Sequence, residues 1–151
     1  MPAAYASYGS LLQMGDGATP TEVFTTIAGV KDISGPATNR DLEEVTSHSS
    51  PNGFEEFVPT IKRSGEVSFD LNFDPTLATH GTATTGLAGK VNLDVPTNFR
   101  LVFPRIGVNG YRWAFSGYVT GFDTSAPVAG VAGASVTIKI TGSPTLAAIT
   151  P

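Results

Sequence analysis

The residues that could carry out chemistry include two histidines and several hydroxyl side chains. His48 and His80 are the only histidines in the 151 residues, and they lie 32 positions apart, without the close spacing that places two imidazoles on one metal ion. Either imidazole could act as a base toward a hydroxyl such as that of Ser47, but the sequence contains no Gly-x-Ser-x-Gly nucleophile elbow. We therefore interpret both histidines as surface or interface residues.

Carboxylates occur in pairs and in one alternating row. The pairs Glu43-Glu44 and Glu55-Glu56 consist of adjacent residues, and adjacent side chains of a strand point to opposite faces. Neither pair alone can therefore supply the two facing carboxylates of an acid/base site. Asp70, Asn72 and Asp74 would share one strand face, but a flat row lacks the loop that wraps a calcium ion. We predict solvated charges and no metal site.

Two glycine-containing motifs partly match nucleotide-binding sequences. The segment Gly86–Lys90 lacks both the first glycine of a phosphate-binding loop and the Ser or Thr that follows its lysine. The segment Gly15–Gly17 lacks the third glycine of a dinucleotide fingerprint and the strand-helix-strand context around it. The second motif is therefore predicted to be a turn. We expect no cofactor and no catalytic site.

Aromatic side chains could instead bind a ligand by stacking. Four of them lie within residues 113–122, namely Trp113, Phe115, Tyr118 and Phe122, with Arg100, Arg105 and Arg112 nearby. Such residues on an open sheet can stack bases or sugars. Core packing is the favoured role of Trp113 and Phe115, because large aromatic side chains in strands usually fill cores. A carbohydrate-binding or adhesive β-sandwich is the alternative function that this segment keeps open.

Composition predicts one mainly β domain. Hydrophobic residues make up 40% and charged residues only 15%, with 17 glycines, 11 prolines and no cysteine, a mixture that favours strands and turns. The net charge is −4, so the positive surface of a nucleic-acid-binding protein is not expected. Residues 1–75 have a net charge of −7 and residues 76–151 one of +3, which suits head-to-tail packing between copies.

Alternating apolar residues predict the strands that position these groups. Residues 65–74 and 136–141 alternate strictly between apolar and polar side chains. Residues 98–103 and 111–122 flank Asn109-Gly110, a strong hairpin signal. Matching their apolar faces aligns 99, 101 and 103 with 119, 117 and 115, which requires a bulge within 104–107. Residues 142–144 are predicted to close the last strand.

The remaining segments give three further strands, a weak helix and one long loop. Residues 10–14, 24–33 and 41–47 are predicted to form strands. Residues 75–91 place several apolar side chains on one helical face, but their three glycines permit only a short helix. The segment His48–Thr60 is predicted to be a long loop, since it is rich in Ser, Pro and Gly.

Several segments, taken in order, resemble the major tail (tail tube) proteins of long, flexible-tailed bacteriophages. They are Tyr8–Gly17 (YGSLLQMGDG) with Glu22–Val30 (EVFTTIAGV), Glu44–His48 (EVTSH) and Gly65–Pro75 (GEVSFDLNFDP), and the likeness covers most of residues 8–142. The resemblance implies a mainly β fold: a β-sandwich or barrel with one short flanking helix and a long loop. Residues 1–142 would form this tail-tube domain, followed by a C-terminal arm at 143–151.

The resemblance also implies a structural function without catalysis. Copies would form hexameric rings that stack into the tail tube, the conduit for genome delivery. The implied partners are tape-measure, tail-tip and tail-terminator proteins, and double-stranded DNA would pass transiently without specific binding. The implied location is the virion tail, assembled in the host bacterial cytoplasm, with no membrane partner.

We hypothesise that the long loop contacts a neighbouring subunit or the next ring. Its aromatic residues argue against simple disorder, and a loop of this length is usually functional or disordered. Exposed aromatic side chains beside acids make sense if assembly buries them against bases of another copy. The interface residues predicted on this basis are His48, Phe54, Glu55, Glu56, Phe57, Lys62, Arg63, Arg105 and Arg112.

Overall fold

The computed structural model describes residues 6–83, 85–104 and 110–149, and within them the chain is mainly β. Seven strands form one antiparallel sheet in the order β2-β1-β7-β8-β9-β6-β3, and β4 and β5 form a separate hairpin. The elements are β1 (Leu11–Gly15), β2 (Phe24–Thr26), β3 (Val30–Ser34), β4 (Thr38–Glu44), a 3-10 turn (Pro51–Gly53), β5 (Phe57–Ser64), β6 (Glu66–Asn72), α1 (Leu87–Lys90), β7 (Thr97–Val102), β8 (Tyr111–Ser125) and β9 (Gly133–Ala148).

One face of the large sheet forms the core. In β6 the side chains of Val67, Phe69 and Leu71 are buried and those between them are exposed, as the alternation predicts. The same alternation in β9 buries Val136 and Ile138. The other buried apolar residues come from β1, β7, β8, β9, α1 and the segment after β2: Leu12, Met14, Ile27, Leu87, Phe99, Leu101, Phe115, Val119, Ala134 and Ile140.

The sheet curls so that its two edge strands come close together. Its edges are β2 and β3, which are consecutive in the chain and are separated by residues 27–29. Seven strands laid flat would span about 29 Å, whereas four Cα-to-Cα steps reach about 14 Å at most. The sheet therefore bends into a barrel-like shape, in agreement with the predicted fold class.

Residues 27–29 form a seam between the two edges. The Ile27 N–H donates to the Leu12 carbonyl at 2.8 Å, which extends the pairing of β2 with β1. Two residues later the Gly29 carbonyl accepts from the Asn72 N–H of β6 at 2.9 Å. Gly29 has a φ of 73°, and an added Cβ would meet the Asn72 carbonyl oxygen at 2.9 Å, so glycine is required there.

His80 fixes this seam from inside the protein. Its side chain is fully buried, with Nε2 2.6 Å from the Ala28 carbonyl oxygen. The backbone N–H of Asp74 donates to Nδ1 at 3.1 Å, so Nδ1 is an acceptor and the proton lies on Nε2, which donates to Ala28. The ring also stacks on Phe73, with 6.1 Å between centroids. The prediction that His80 lies at the surface or an interface is wrong, because these two backbone groups need a buried partner.

The predicted register of β7 and β8 is also wrong. Phe99 lies opposite Phe115, and Leu101 lies opposite Trp113. The Phe103 N–H donates to the Tyr111 carbonyl at 3.0 Å, so Phe103 does not lie opposite Phe115. The observed register stacks the buried rings of Phe99 and Phe115, with centroids 5.7 Å apart, which the sequence pattern did not reveal. Positions 105–107 of the predicted bulge and Asn109 of the predicted turn lie outside the described residues.

Several predicted element boundaries change. The strand expected at 24–33 divides into β2 and β3 because the chain crosses the seam between them. The strand expected at 41–47 begins earlier, at Thr38, and ends at Glu44. The strand expected to close at 142–144 continues to Ala148. The register of β9 against β8 shifts at these residues, where Gly142 has a φ of 82° and Pro144 has no backbone N–H to donate to a neighbouring strand.

The predicted helix and loop are both shorter than their segments. Helix α1 is a single turn, and the first part of the 75–91 segment forms turns. Its three glycines disfavour a longer helix. The predicted loop ends early, because β5 begins at Phe57 and includes the last four residues of His48–Thr60. Residues 143–148, assigned to a C-terminal arm, belong to β9, and the proposed domain boundary itself stays a prediction.

Replacing His80 tests how strongly the seam depends on it. We expect His80→Phe to lower the free energy of unfolding by about 2–5 kcal/mol, because the Ala28 carbonyl and the Asp74 N–H lose their partners while the ring volume is kept. Urea-induced unfolding monitored by circular dichroism measures the loss. His48→Phe is the control: this histidine is exposed, and we expect a change within about 0.5 kcal/mol. Equal effects of the two substitutions would contradict the assigned role.

Candidate assembly interface

The hairpin formed by β4 and β5 is the most exposed regular element in the described part of the chain. Every residue of β5 from Phe57 to Arg63 is exposed, and Asp41 is the one partly covered residue of β4. The hairpin is attached to the sheet at its base, where the Ser64 hydroxyl donates to the Gly142 carbonyl and the Ile140 N–H donates to the Gly65 carbonyl at 3.2 Å. It is therefore a separate two-stranded arm beside the seven-stranded sheet.

Large apolar side chains lie along this arm. Phe54 is 71% exposed, Ile61 60% and Phe57 49%, and Leu42, Val45 and Val58 are also exposed. An isolated two-stranded hairpin is marginally stable in water, and exposed apolar groups of this kind usually mark an interaction surface. The arm thus has the character of an interface that a single copy leaves uncovered.

The loop at the far end of the arm is ordered by its own hydrogen bonds. The Val45 N–H donates to the Glu56 carbonyl at 2.9 Å, and the Glu56 N–H donates to the Thr46 hydroxyl at 2.9 Å. The Ser50 hydroxyl donates to the Glu56 carboxylate at 2.8 Å. A 3-10 turn at Pro51–Gly53 then directs the chain toward the exposed Phe54. The loop therefore presents a defined surface in a single copy.

The predicted interface residues occupy different places. The structure brings His48, Phe54, Glu55, Glu56 and Phe57 together at the far end of the arm, and all five are exposed. Lys62 and Arg63 are exposed near its base, where Arg63 pairs with Asp41 at 2.8 Å. Arg112 lies on β8 in the large sheet and is partly buried. Arg105 lies outside the described residues. The interface roles of these residues stay predictions.

Several residues of this surface were not predicted from the sequence. Arg40 lies directly opposite Lys62, which concentrates positive charge at the base of the arm. Leu42, Val58 and Ile61 add apolar area. The β-branched residues of 57–61 were a usable strand signal, but Pro59 and the absence of a buried face made the segment look like a loop.

A second basic region lies on the outer side of β7 and β8. The Arg100 guanidinium covers the Phe24 ring at 3.6 Å, a cation–π contact. Burial and the neighbouring charge of Arg112 both lower the pKa of Arg100 from its ordinary value. An arginine stays protonated under such conditions, so this region keeps its positive charge.

A cleft beside β1 contains the other notable group of charges. Asp16 accepts backbone N–H groups of Ala18 at 2.9 Å and Val23 at 3.2 Å, and these hydrogen bonds lower its pKa. Glu22 accepts from the Gly17 N–H at 2.8 Å. Gly15 is the last residue of β1, so the bounds predicted for the turn are wrong, and the turn that connects β1 with β2 covers residues 16–23. Burial lowers the pKa of Lys90 in the same cleft. These interactions hold the turn in place, and they account for the conformation of both carboxylates.

The carboxylates of the predicted row Asp70, Asn72 and Asp74 bind neighbouring hydroxyl groups. Asp70 accepts from the Ser135 hydroxyl at 2.7 Å, and Asp74 binds Thr76 in the turn after β6, whose hydrogen bonds lower the pKa of Asp74. Within 6–83, 85–104 and 110–149, no group of three His, Asp or Glu residues could hold a metal ion.

The aromatic residues of β8 do not share one exposed face. Phe115 is buried, and Trp113 and Phe122 pack against the core, whereas Tyr118 is more exposed and lies on the outer face. The stacking platform that a carbohydrate-binding module would need is therefore not formed.

The part of the chain that the structure describes contains no helix long and apolar enough to cross a membrane.

Comparisons with known proteins identify the fold. No family model matches the sequence, and no curated protein matches it. Among solved structures, the chain is similar to the tail of an empty gene transfer agent particle with C6 symmetry, with a TM-score of 0.68 and 19% identity over 95% of this chain and 99% of that one. It is also similar to the SPP1 tail tube, with a TM-score of 0.62 and 13% identity over 94% of this chain and 77% of that one. The chain has the tail-tube fold.

The tail-tube fold extends to contractile systems. A chain from the sheath-tube complex of the extracellular contractile injection system PVC matches with a TM-score of 0.69 and 14% identity, over 97% of this chain and 93% of that one. These matches span nearly the whole chain. They confirm the predicted fold class, a mainly β domain of the tail-tube kind.

The exposure of the arm leads to a stability prediction. We expect Ile61→Ser to change the free energy of unfolding of the monomer by less than about 1 kcal/mol, because its side chain is exposed on the arm. Ile138→Ser is the matched comparison, and burial of its side chain should raise the loss to about 3 kcal/mol or more. Urea-induced unfolding at low protein concentration measures both. Losses of equal size would show that the arm packs against the core.

Proposed function

We propose that this chain is a structural virion protein that self-assembles into stacked hexameric rings, which form a phage tail tube for genome delivery. The observation that carries the proposal is an exposed apolar arm on a domain with the tail-tube fold. The similar gene transfer agent tail has C6 symmetry, which supports six copies per ring. The role is structural and not catalytic.

Two features of the chain supply contacts between copies. The far end of the arm carries Phe54 and Phe57, whose exposed rings would be buried against a neighbouring subunit or the next ring. β2 and β3 are the edge strands of the sheet, and within the described residues each pairs with one neighbouring strand, so the outer backbone groups can pair with strands of adjacent copies. Strand pairing would join copies around a ring, and the arm would add contacts beyond the sheet.

The charge of the chain suits a conduit for DNA. With a net charge of −4, the subunit has no overall attraction for phosphates, so double-stranded DNA would pass without specific binding. Similar chains occur in structures described as a sheath/tube terminator and a tube-terminating cap. This supports a tail-terminator protein as a partner, and we propose tail-tip and tape-measure proteins as further partners. The subunit would be assembled in the host bacterial cytoplasm and reside in the virion tail.

Assembly of the purified protein tests the proposed function directly. We expect rings or tubes in negative-stain electron micrographs and a matching rise in light scattering as the concentration increases. Rings with six-fold symmetry in class averages would support the hexamer. Monomers alone across high concentration and moderate salt would contradict the proposal.

Replacement of the two aromatic residues at the far end of the arm tests its role. We expect Phe54→Ser with Phe57→Ser to give a folded monomer, normal by circular dichroism, that no longer forms tubes, because both side chains are exposed in a single copy. Phe54→Leu with Phe57→Leu is the control, since it keeps the apolar surface and should keep tube growth. Normal tubes from the serine variant would rule out these rings as assembly contacts.

A further inference from the structure

The base of the arm forms one wall of a basic groove. Arg40, Lys62 and Arg63 line one side, and the bend of β9 from Ile140 to Pro144 lines the other, enclosing about 540 Å³. Arg40 and Lys62 are direct cross-strand partners, so two positive charges lie side by side. Arg63 forms an ion pair with Asp41 at 2.8 Å. The like charges of Arg40 and Lys62 repel each other, and an anion bound between them would relieve that repulsion.

The opposite end of the same arm is acidic. Glu43 and Glu44 are the last two residues of β4, and Glu55 and Glu56 come directly before β5. All four are exposed, and this end contains no lysine or arginine. The arm therefore has an excess of positive charge at its base and of negative charge at its far end.

The two ends of one arm do not pair with each other. Within the described residues the arm's ion pair joins Arg63 to Asp41 near the base, and no ion pair joins the base to a glutamate of the far end. The Cα atoms of Arg40 and Glu44 are about 13 Å apart along the strand. The hydrogen bonds of the far loop hold that end in place and oppose folding back. Both ends therefore keep charge that is free to pair with another molecule.

We propose that the basic groove binds the acidic end of the arm of a second copy. The inference rests on the proposed function and adds to it the surface that receives the arm. A head-to-tail contact requires two different, complementary surfaces on the same chain, and the two ends of the arm meet that requirement. DNA phosphate is the less favoured occupant, because the net charge of the chain is −4.

Charge reversal provides the test. The base variant carries Arg40→Glu with Lys62→Glu, the end variant carries Glu43→Lys with Glu55→Lys, and a combined variant carries all four changes. Glu56 is left unchanged because it binds Ser50 within the loop. A control with Thr120→Glu, Thr124→Glu, Ala126→Glu and Ala129→Glu changes the net charge as the base variant does, at exposed sites outside the groove and outside the edge strands.

Assembly of each variant is compared with that of the unmodified chain by light scattering and negative-stain microscopy, after circular dichroism has shown normal folding. We expect the base and end variants each to raise the concentration needed for assembly by about tenfold or more. The combined variant should recover assembly, because the reversed charges attract again, and the control should assemble like the unmodified chain.

Three outcomes would overturn the inference while leaving the proposed function intact. They are tube growth by the base variant like that of the unmodified chain, failure of the combined variant to recover, and loss of assembly in the control. DNA binding that is lost in the base variant while its tubes form normally would assign the groove to phosphate instead. If the unmodified chain forms no rings or tubes, the proposed function itself fails.

Discussion

The fold depends on one topological constraint: the two edge strands of a seven-stranded sheet are joined by only three residues. This short connection requires the sheet to curl, and residues 27–29 must hydrogen-bond to β1 on one side and to β6 on the other. His80 supplies the buried polar partner that makes the crossing possible, because its ring binds backbone groups from two segments. A buried carbonyl or N–H without a partner would cost a large part of the stability of a small domain.

The same constraint explains why the arm lies outside the sheet. Once β3 has paired with β6 at the edge, the next two strands pair with each other and form a hairpin anchored by Ser64 and Gly65. The core supports the large sheet, whereas the arm has its own hydrogen bonds and little burial. An element of this kind is stable in the long term when a partner covers its apolar side chains. Its exposure is thus connected to the proposed assembly.

Positive and negative charges are separated over a shorter distance than the division of the sequence into an acidic and a basic half suggests. The overall division is −7 and +3, but the strongest contrast lies within the arm, between Arg40 with Lys62 and the glutamates of its far end. Such charges act over about 10 Å at moderate salt, so they set the orientation and register of a contact. The exposed aromatic residues provide the apolar area. The two contributions are complementary in a head-to-tail interface.

The sequence alone determined the strand faces, the fold class and the resemblance to tail-tube proteins. The alternation in β6 and β9 is a local property of an extended chain, so the buried faces of Phe69 and Ile138 could be predicted correctly. The far end of the arm could be proposed as an interface from its aromatic and acidic residues. A local pattern was sufficient for each of these.

Only the tertiary structure decided how the strands meet. The register of β7 and β8 depends on the stacking of Phe99 on Phe115, and the division of residues 24–33 depends on a crossing that brings distant strands together. The burial of His80 depends on Ala28 and Asp74, and Arg40 became part of the basic groove through its cross-strand partner Lys62. These are contacts between residues far apart in the chain, and no periodicity within a single segment encodes them.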